Sequence, residues 1–294
     1  MGEPMLELDE VTTGVIRRRF GGDALNVAVH LKREDPDVAV QLLTAVGDDR
    51  FSAELLEYGT TEGIDMSGVD VVRGGVVGAY MITTDASGER SFTYWRSGSP
   101  ARSMLSGERP LHLPSPDLVD TLMISGITLA VLDDVGRSAL SEYAEAARRN
   151  GTTVVYDPNH RASLWSVSEA YGSLQRMCAA AAVVLASLDD GIALQGADDQ
   201  RSFAGHLRAL GASEAVVTAG SAPTAASWAD QQVMIETVRV EHVVDTTGAG
   251  DSFDAAYVAA RLGGDDPVTA ITAGHRRAAM TIGHRGAIME RTHR

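Results

Sequence analysis

Short apolar runs alternate along this chain with alanine-rich stretches of helical period, and this rhythm restricts the fold more than any other feature. The pattern predicts strands at 38–46, 122–125, 152–156, 183–186 and 215–217. It predicts helices at 24–33, 53–62, 136–150, 200–209, 252–262 and 268–283. Strand followed by helix, repeated, is the βαβ unit, which lays strands side by side in parallel and covers the sheet with helices. The expected class is α/β, three layers deep (α/β/α), in a single domain spanning 1–294. No internal repeat or low-complexity linker interrupts it.

Two stretches break the rhythm. Between 69 and 96 the chain reads as short alternating strands around the turn Asp85-Ala86-Ser87-Gly88, a hairpin signal. A shorter excursion lies at 8–19. Antiparallel excursions from a parallel α/β framework commonly form lids over a site. A small β-sheet lid is expected from these two segments.

The run from Val243 to Ala256 carries the chemistry. A β-branched segment, read as a strand, ends in Gly248-Ala249-Gly250, and a helical pattern follows through Phe253, Ala256, Tyr257 and Ala260. Free backbone N–H groups and the dipole at a helix start make an anion site. Glycine lets the phosphate approach the backbone. Asp251 stands at the same helix start. A carboxylate beside a phosphate cradle suits a base that takes a proton from an attacking hydroxyl. The plain alternative is a tight turn with an acidic cap. A dinucleotide fingerprint needs a third glycine where Phe253 stands, and a Walker loop needs Gly-Lys, whereas Lys32 has no glycine beside it. Upstream, Gly21-Gly22-Asp23-Ala24-Leu25-Asn26 opens another helix. It reads either as a flexible turn or as a helix start whose Gly22, Asp23 and Asn26 meet polar ligand groups.

Asp245-Thr246-Thr247-Gly248-Ala249-Gly250-Asp251 together with the Gly-Gly-x-x-x-Asn motif resembles the ribokinase-like (PfkB) carbohydrate kinases, and the resemblance runs from Gly2 to about Ile288. It implies the ribokinase-like fold, ATP and magnesium as cofactors, Asp251 as catalytic base, and Gly248, Ala249 and Gly250 as the anion hole. Phe92-Thr93-Tyr94-Trp95-Arg96, Ser125-Gly126-Ile127, and Asp157-Pro158-Asn159-His160-Arg161 are similar to the branch of that family whose substrate is 2-keto-3-deoxygluconate. That substrate carries a carboxylate, which the planar fork of arginine matches in two-point contact. The resemblance assigns Gly22, Asp23, Asn26, Tyr80, Tyr94, Arg96, Ile127 and Arg161 to the sugar acid. It assigns Asn159, Ser187, Thr218, Gly220, Ser221, Gly248 and Gly250 to the nucleotide, and Asp190 to magnesium through water. A monovalent cation near Asp245 and Thr247 also fits the family. Cross-strand aromatics and surface ion pairs are the plain readings of Tyr80, Tyr94, Arg96 and Arg161.

The chain departs from the family pattern in three places. Ser187 and Asp190 stand where the family has Asn and Glu. Thr218 stands where it has Lys. Only Met1 precedes Gly2-Glu3, where the family has a strand, and the expectation is a start assigned too late. These departures keep open a weakened, sugar-acid-binding homologue, and a kinase for another sugar or nucleoside is the second rival. A net charge of −15 argues against nucleic acid as a partner. No apolar run is long enough to span a bilayer. The single Cys178 excludes a disulfide framework. A cytoplasmic protein is expected, and the family implies a homo-oligomer.

Overall fold

The computed structural model describes residues 1–12, 14–84, 90–107 and 110–290. The turn expected at Asp85-Ala86-Ser87-Gly88 lies outside them. The chain opens with strands β1 (Met5–Thr12) and β2 (Val15–Gly21), then helix α1 (Asp23–Glu34). Strand β3 (Thr44–Gly47), helix α2 (Arg50–Thr61) and strand β4 (Val69–Val72) follow, then β5 (Ala79–Thr84) and β6 (Arg90–Trp95). Next come β7 (Thr121–Ser125), α3 (Gly126–Val131), α4 (Asp134–Arg149), β8 (Thr153–Asp157), α5 (Val167–Ala180), β9 (Val183–Ser187), α6 (Leu188–Gln195), α7 (Gln200–Ala209) and β10 (Glu214–Ala219). Strands β11 (Ala222–Trp228) and β12 (Gln231–Ile235) and helices α8 (Ala249–Leu262) and α9 (Pro267–Thr281) complete it.

A six-stranded sheet ordered β12-β11-β10-β9-β8-β7 forms the middle layer. Strands β7 to β10 run parallel, and β11 and β12 add antiparallel. Side chains alternate across a strand, so each strand feeds two cores. Leu122, Val154, Tyr156, Val184 and Val217 face Leu129, Leu140, Leu174 and Phe203 on one side. Val155, Val183, Leu185 and Val216 face Phe253, Tyr257 and Ile271 of α8 and α9 on the other. Three α/β/α layers result, and the sheet is mainly parallel because each crossover is a helix.

The excursions from the rhythm assemble into a separate four-stranded sheet ordered β2-β1-β5-β6. Strand β4 does not join it. It pairs in parallel with β3, so residues 69–72 lie in a different sheet from 79–84 and 90–95. Two further expectations give way to tertiary context. The strand predicted over 38–46 shortens to Thr44–Gly47: before it, Gln41 makes only an isolated parallel bridge to Asp65, and the Lys32 ammonium takes the Val38 carbonyl. The β-branched run before Gly248 is not a strand. The Val244 N–H donates to the Ile282 carbonyl at 2.8 Å, so a helix end is its partner and both valines stay exposed. Helices α5 and α6 escaped the periodicity reading, although Ser166 with Glu169 closes a capping box at the first.

Candidate active site

A cleft of about 900 Å³ opens where the C-terminal ends of β8, β9 and β10 face the four-stranded sheet. Two helices point their N-termini into it. Gly22 precedes α1 and Gly248 precedes α8, and neither provides a side-chain cap. Among the described residues the other seven α-helices are capped by Asp49, Ser125, Asp133, Ser166, Ser187, Asp199 and Asp266. The first N–H groups of an α-helix have no partner within the helix. At α1 the Ala24 N–H is taken by Asp23 Oδ1 at 2.9 Å and at α8 the Ala249 N–H by the Thr246 carbonyl at 3.2 Å, and the remaining first-turn donors are left to face the cleft, ready for anions and hydroxyl oxygens. Glycine is required at both positions. Gly22 sits at φ 99°, and a Cβ there would lie 2.5 Å from the Glu3 carbonyl. Gly248 sits at φ 74°, and its Cβ would lie 2.5 Å from that of Ala287.

Between the two helix starts stand Asp23, Asn26 and Asp251, all lining the cleft. The Asn26 amide Nδ2 donates to Asp251 Oδ2 at 2.7 Å. Asp23 Oδ2 and Asn26 Oδ1 are buried acceptors with no partner among the described residues. Buried acceptors without donors are costly, and hydroxyls of a polyol would satisfy them. Burial, then the charge of Asp23, raises the Asp251 carboxyl to about 7, against the pull of Asn26 and Arg161. A carboxyl poised there suits a general base.

Tyr80, Tyr94, Arg96, Ile127 and Arg161 line the same cleft. Their side chains are less free than an open binding fork. Arg96 directs Nε and Nη2 at Glu3 Oε2, with Nε at 2.7 Å, while its Cζ sits 5.7 Å from the Tyr94 ring centre. Burial raises the Glu3 carboxyl and Arg96 lowers it. The Tyr80 hydroxyl donates to Glu7 Oε2 at 2.5 Å, which leaves it only acceptor capacity toward the cleft. Arg161 is exposed and gives one N–H to the His160 carbonyl at 3.2 Å, so most of its fork is open. The family resemblance pointed to Arg96 and Arg161 equally. The fold makes them different.

The other end of the cleft holds Gly248, Ala249, Gly250, Asn159, Ser187, Asp190 and Thr218. Gly220 and Ser221 lie just beyond β10 and do not line it. Ser187 and Asp190 close a capping box on α6, and Asp190 Oδ1 also accepts from the His160 N–H at 2.7 Å. Both Asp190 oxygens are therefore engaged in holding α6 and the loop after β8. Asn159 takes a left-handed φ of 35°, bent back so that its N–H meets Asp157 Oδ1 at 3.0 Å. Asp157 and Asp254 line the cleft as well and were not singled out from the sequence. Burial, then neighbouring carboxylates, pushes both well above the ordinary range. The signals existed: Asp254 is one helical turn past Asp251, and Asp157 ends a strand at the edge where α/β sheets bind ligands. Glu3 had no such local signal. Among the described residues no three His, Cys, Asp or Glu side chains converge as a metal-binding set. No helix among them is long and apolar enough to cross a membrane.

A parallel sheet with its cleft at the carboxyl ends, two uncapped helix starts and a raised carboxyl between them define a phosphotransferase fold and site, and the chain belongs to the pfkB family of carbohydrate kinases, whose family model matches residues 6–293. It is an ATP-dependent carbohydrate kinase. Among relatives, it is 36% identical over 287 residues to 2-dehydro-3-deoxygluconokinase of Escherichia coli K12, covering 95% of this chain and 92% of the other. The enzyme of that name from Dickeya dadantii is 34% identical over 292 residues, with 95% and 92% covered. Among solved structures, a PfkB protein from Polaromonas sp. JS666 superposes with a TM-score of 0.82 at 23% identity, covering 95% of this chain and 92% of that one. Aminoimidazole riboside kinase from Salmonella enterica, complexed with aminoimidazole riboside and an ATP analogue, gives 0.81 at 22% identity, with 97% and 93% covered.

Proposed function

We propose that this protein transfers the γ-phosphoryl group of ATP to the primary hydroxyl of 2-keto-3-deoxygluconate. The observation that carries the reading is the meeting of the two uncapped helix starts at one carboxylate. The α1 start faces the sugar, the α8 start faces the phosphoryl group, and Asp251 lies between them within 2.7 Å of Asn26. Asp251 removes the hydroxyl proton, and the N–H groups of Gly248, Ala249 and Gly250 meet the charge that builds on the transferred group. Arg161 holds the substrate carboxylate with its open fork, and Arg96 contributes the edge that Glu3 leaves free. The relatives named above act, by their names, on this substrate, which supports the choice.

Magnesium, bound with the nucleotide, supplies counter-charge to the phosphates. Asp157 and Asp254 at that end of the cleft would hold the ion through water, as magnesium's small octahedral shell prefers, while Asp190 would act on it only by fixing the loop after β8. Gly220 and Ser221 would contact the nucleotide outside the cleft proper. A monovalent cation beside Asp245 and Thr247 belongs to the same proposal. There the carboxylate is already fixed by the Thr247 and Gly286 N–H groups at 2.9 and 2.7 Å. We also read the chain as one kinase domain with the four-stranded sheet as its lid. Its exposed Val15, Ile16 and Trp95 favour pairing of two copies, and its use of ATP favours a cytoplasmic setting.

The test is ADP release from MgATP with 2-keto-3-deoxygluconate, gluconate, fructose and ribose. Turnover selective for the keto acid supports the whole reading. Turnover on a neutral sugar removes the carboxylate roles and leaves the base. Binding of the keto acid without turnover points to the weakened homologue that Ser187 and Thr218 kept open.

A further inference from the structure

We propose that Asn26, beyond its place among the sugar contacts, is a positioning residue for the base: its side-chain amide selects which oxygen of Asp251 receives the substrate proton. The inference rests on Asp251 being the base. Asn26 is 5% exposed and stands on the second turn of α1, against α8. Its Nδ2 reaches Asp251 Oδ2 at 2.7 Å across 225 positions of sequence. The opposite amide orientation would set two oxygens at that distance, which an ionised carboxylate forbids. The contact therefore fixes the amide as well as the carboxylate. Asn26 Oδ1 is left buried with no donor among the described residues. Asp251 Oδ1 accepts no hydrogen bond from them. A carboxylate with two equivalent oxygens would rotate. Here one oxygen is tied, and the other stays beside an orphan acceptor that a sugar hydroxyl would fill.

The charges around Asp251 show why such a donor matters. Asp23 on α1, Asp254 on α8 and Asp157 at the end of β8 all repel its charge, and Tyr80 of β5 stands near. Arg161 and the Asn26 amide favour the ionised form. Of these two, Arg161 is exposed and assigned to the substrate, so Asn26 is the donor that belongs to the resting protein.

Asn26→Leu keeps the bulk and removes both polar contacts, and Asn26→Ser is the smaller second variant should the first fail to fold. The measurement is kcat and KM for the keto acid across pH 5 to 9 with MgATP. Expected is a rise of the acid limb of kcat/KM by about one pH unit, which is about tenfold in proton affinity. At pH 6.5 the loss of kcat should exceed the loss at pH 9 by about that factor. A carboxyl ¹³C titration of Asp251 without substrate should move in the same direction. A rise in KM with an unmoved pH profile and an unmoved Asp251 titration overturns the proposal and leaves Asn26 a plain sugar ligand. Full activity of Asp251→Asn would instead overturn the base assignment, whatever Asn26 does.

Discussion

The guanidinium of Arg96, half-buried, ends on the fully buried carboxylate of Glu3 at the sugar end of the cleft. An arginine that the family resemblance assigns to the substrate is thus already half-committed inside the protein. Glu3 occupies the two-point edge (Nε and Nη2) that a substrate carboxylate would prefer.

Removing one member of such a pair should show in stability first. Arg96→Leu leaves Glu3 buried and unpaired, and should cost about 3–5 kcal/mol in urea unfolding. Glu3→Leu combined with Arg96→Leu should recover most of that loss without restoring the KM for the sugar acid. Unchanged stability in Arg96→Leu would show that the pair contributes nothing to the fold.

The pH dependence follows from Asp251. Its carboxyl titrates at about 7, so kcat/KM should fall on the acid side with a midpoint near that value. Asp251→Asn should lower kcat by about 10²–10⁴-fold. The sign for stability is the reverse of the sign for activity. A raised carboxyl pKa favours the folded state fully below its ordinary 3.8, and that advantage is lost as the pH rises through about 7. Asp251→Asn should therefore melt higher than the parent at pH 8, and the gain should vanish at pH 4. An equal shift at both pH values would contradict the raised titration.

Gly248→Ala tests the anion hole. The left-handed φ of 74° strains any side chain, and the new methyl would strike Ala287. Strain of about 1–2 kcal/mol is expected from the backbone alone. Displaced amides should lower kcat by about 10²-fold or more, with the sugar KM held. A variant with parental kcat would show that the Gly248 turn does not stabilise the transferred group.

Ser187→Ala separates capping from metal organisation. Loss of the capping box on α6 should cost about 1 kcal/mol in stability. The magnesium concentration for half-maximal activity should stay within about twofold, because Ser187 acts on the helix. A large rise in that concentration with no change in melting would reverse the assignment.

Much of the fold was legible in the sequence because it rests on local patterns. Successive residues such as Val154 and Val155 face opposite cores in a strand, and alanine-rich periods such as 252–262 favour helices. Gly22 and Gly248 stood out because a left-handed turn before a helix is a property of a few adjacent residues. The Ser187–Asp190 pair was equally local, yet it was read toward magnesium when its spacing also spells a helix cap. Tertiary structure alone decided what each polar group meets. Glu3 lies 93 positions from Arg96, Glu7 lies 73 from Tyr80, and Asn26 lies 225 from Asp251. No local period encodes such pairings. They arise when packing the two cores brings α1 against α8 and the four-stranded sheet against the cleft. Buried polar groups must then find partners among whatever the fold has placed beside them.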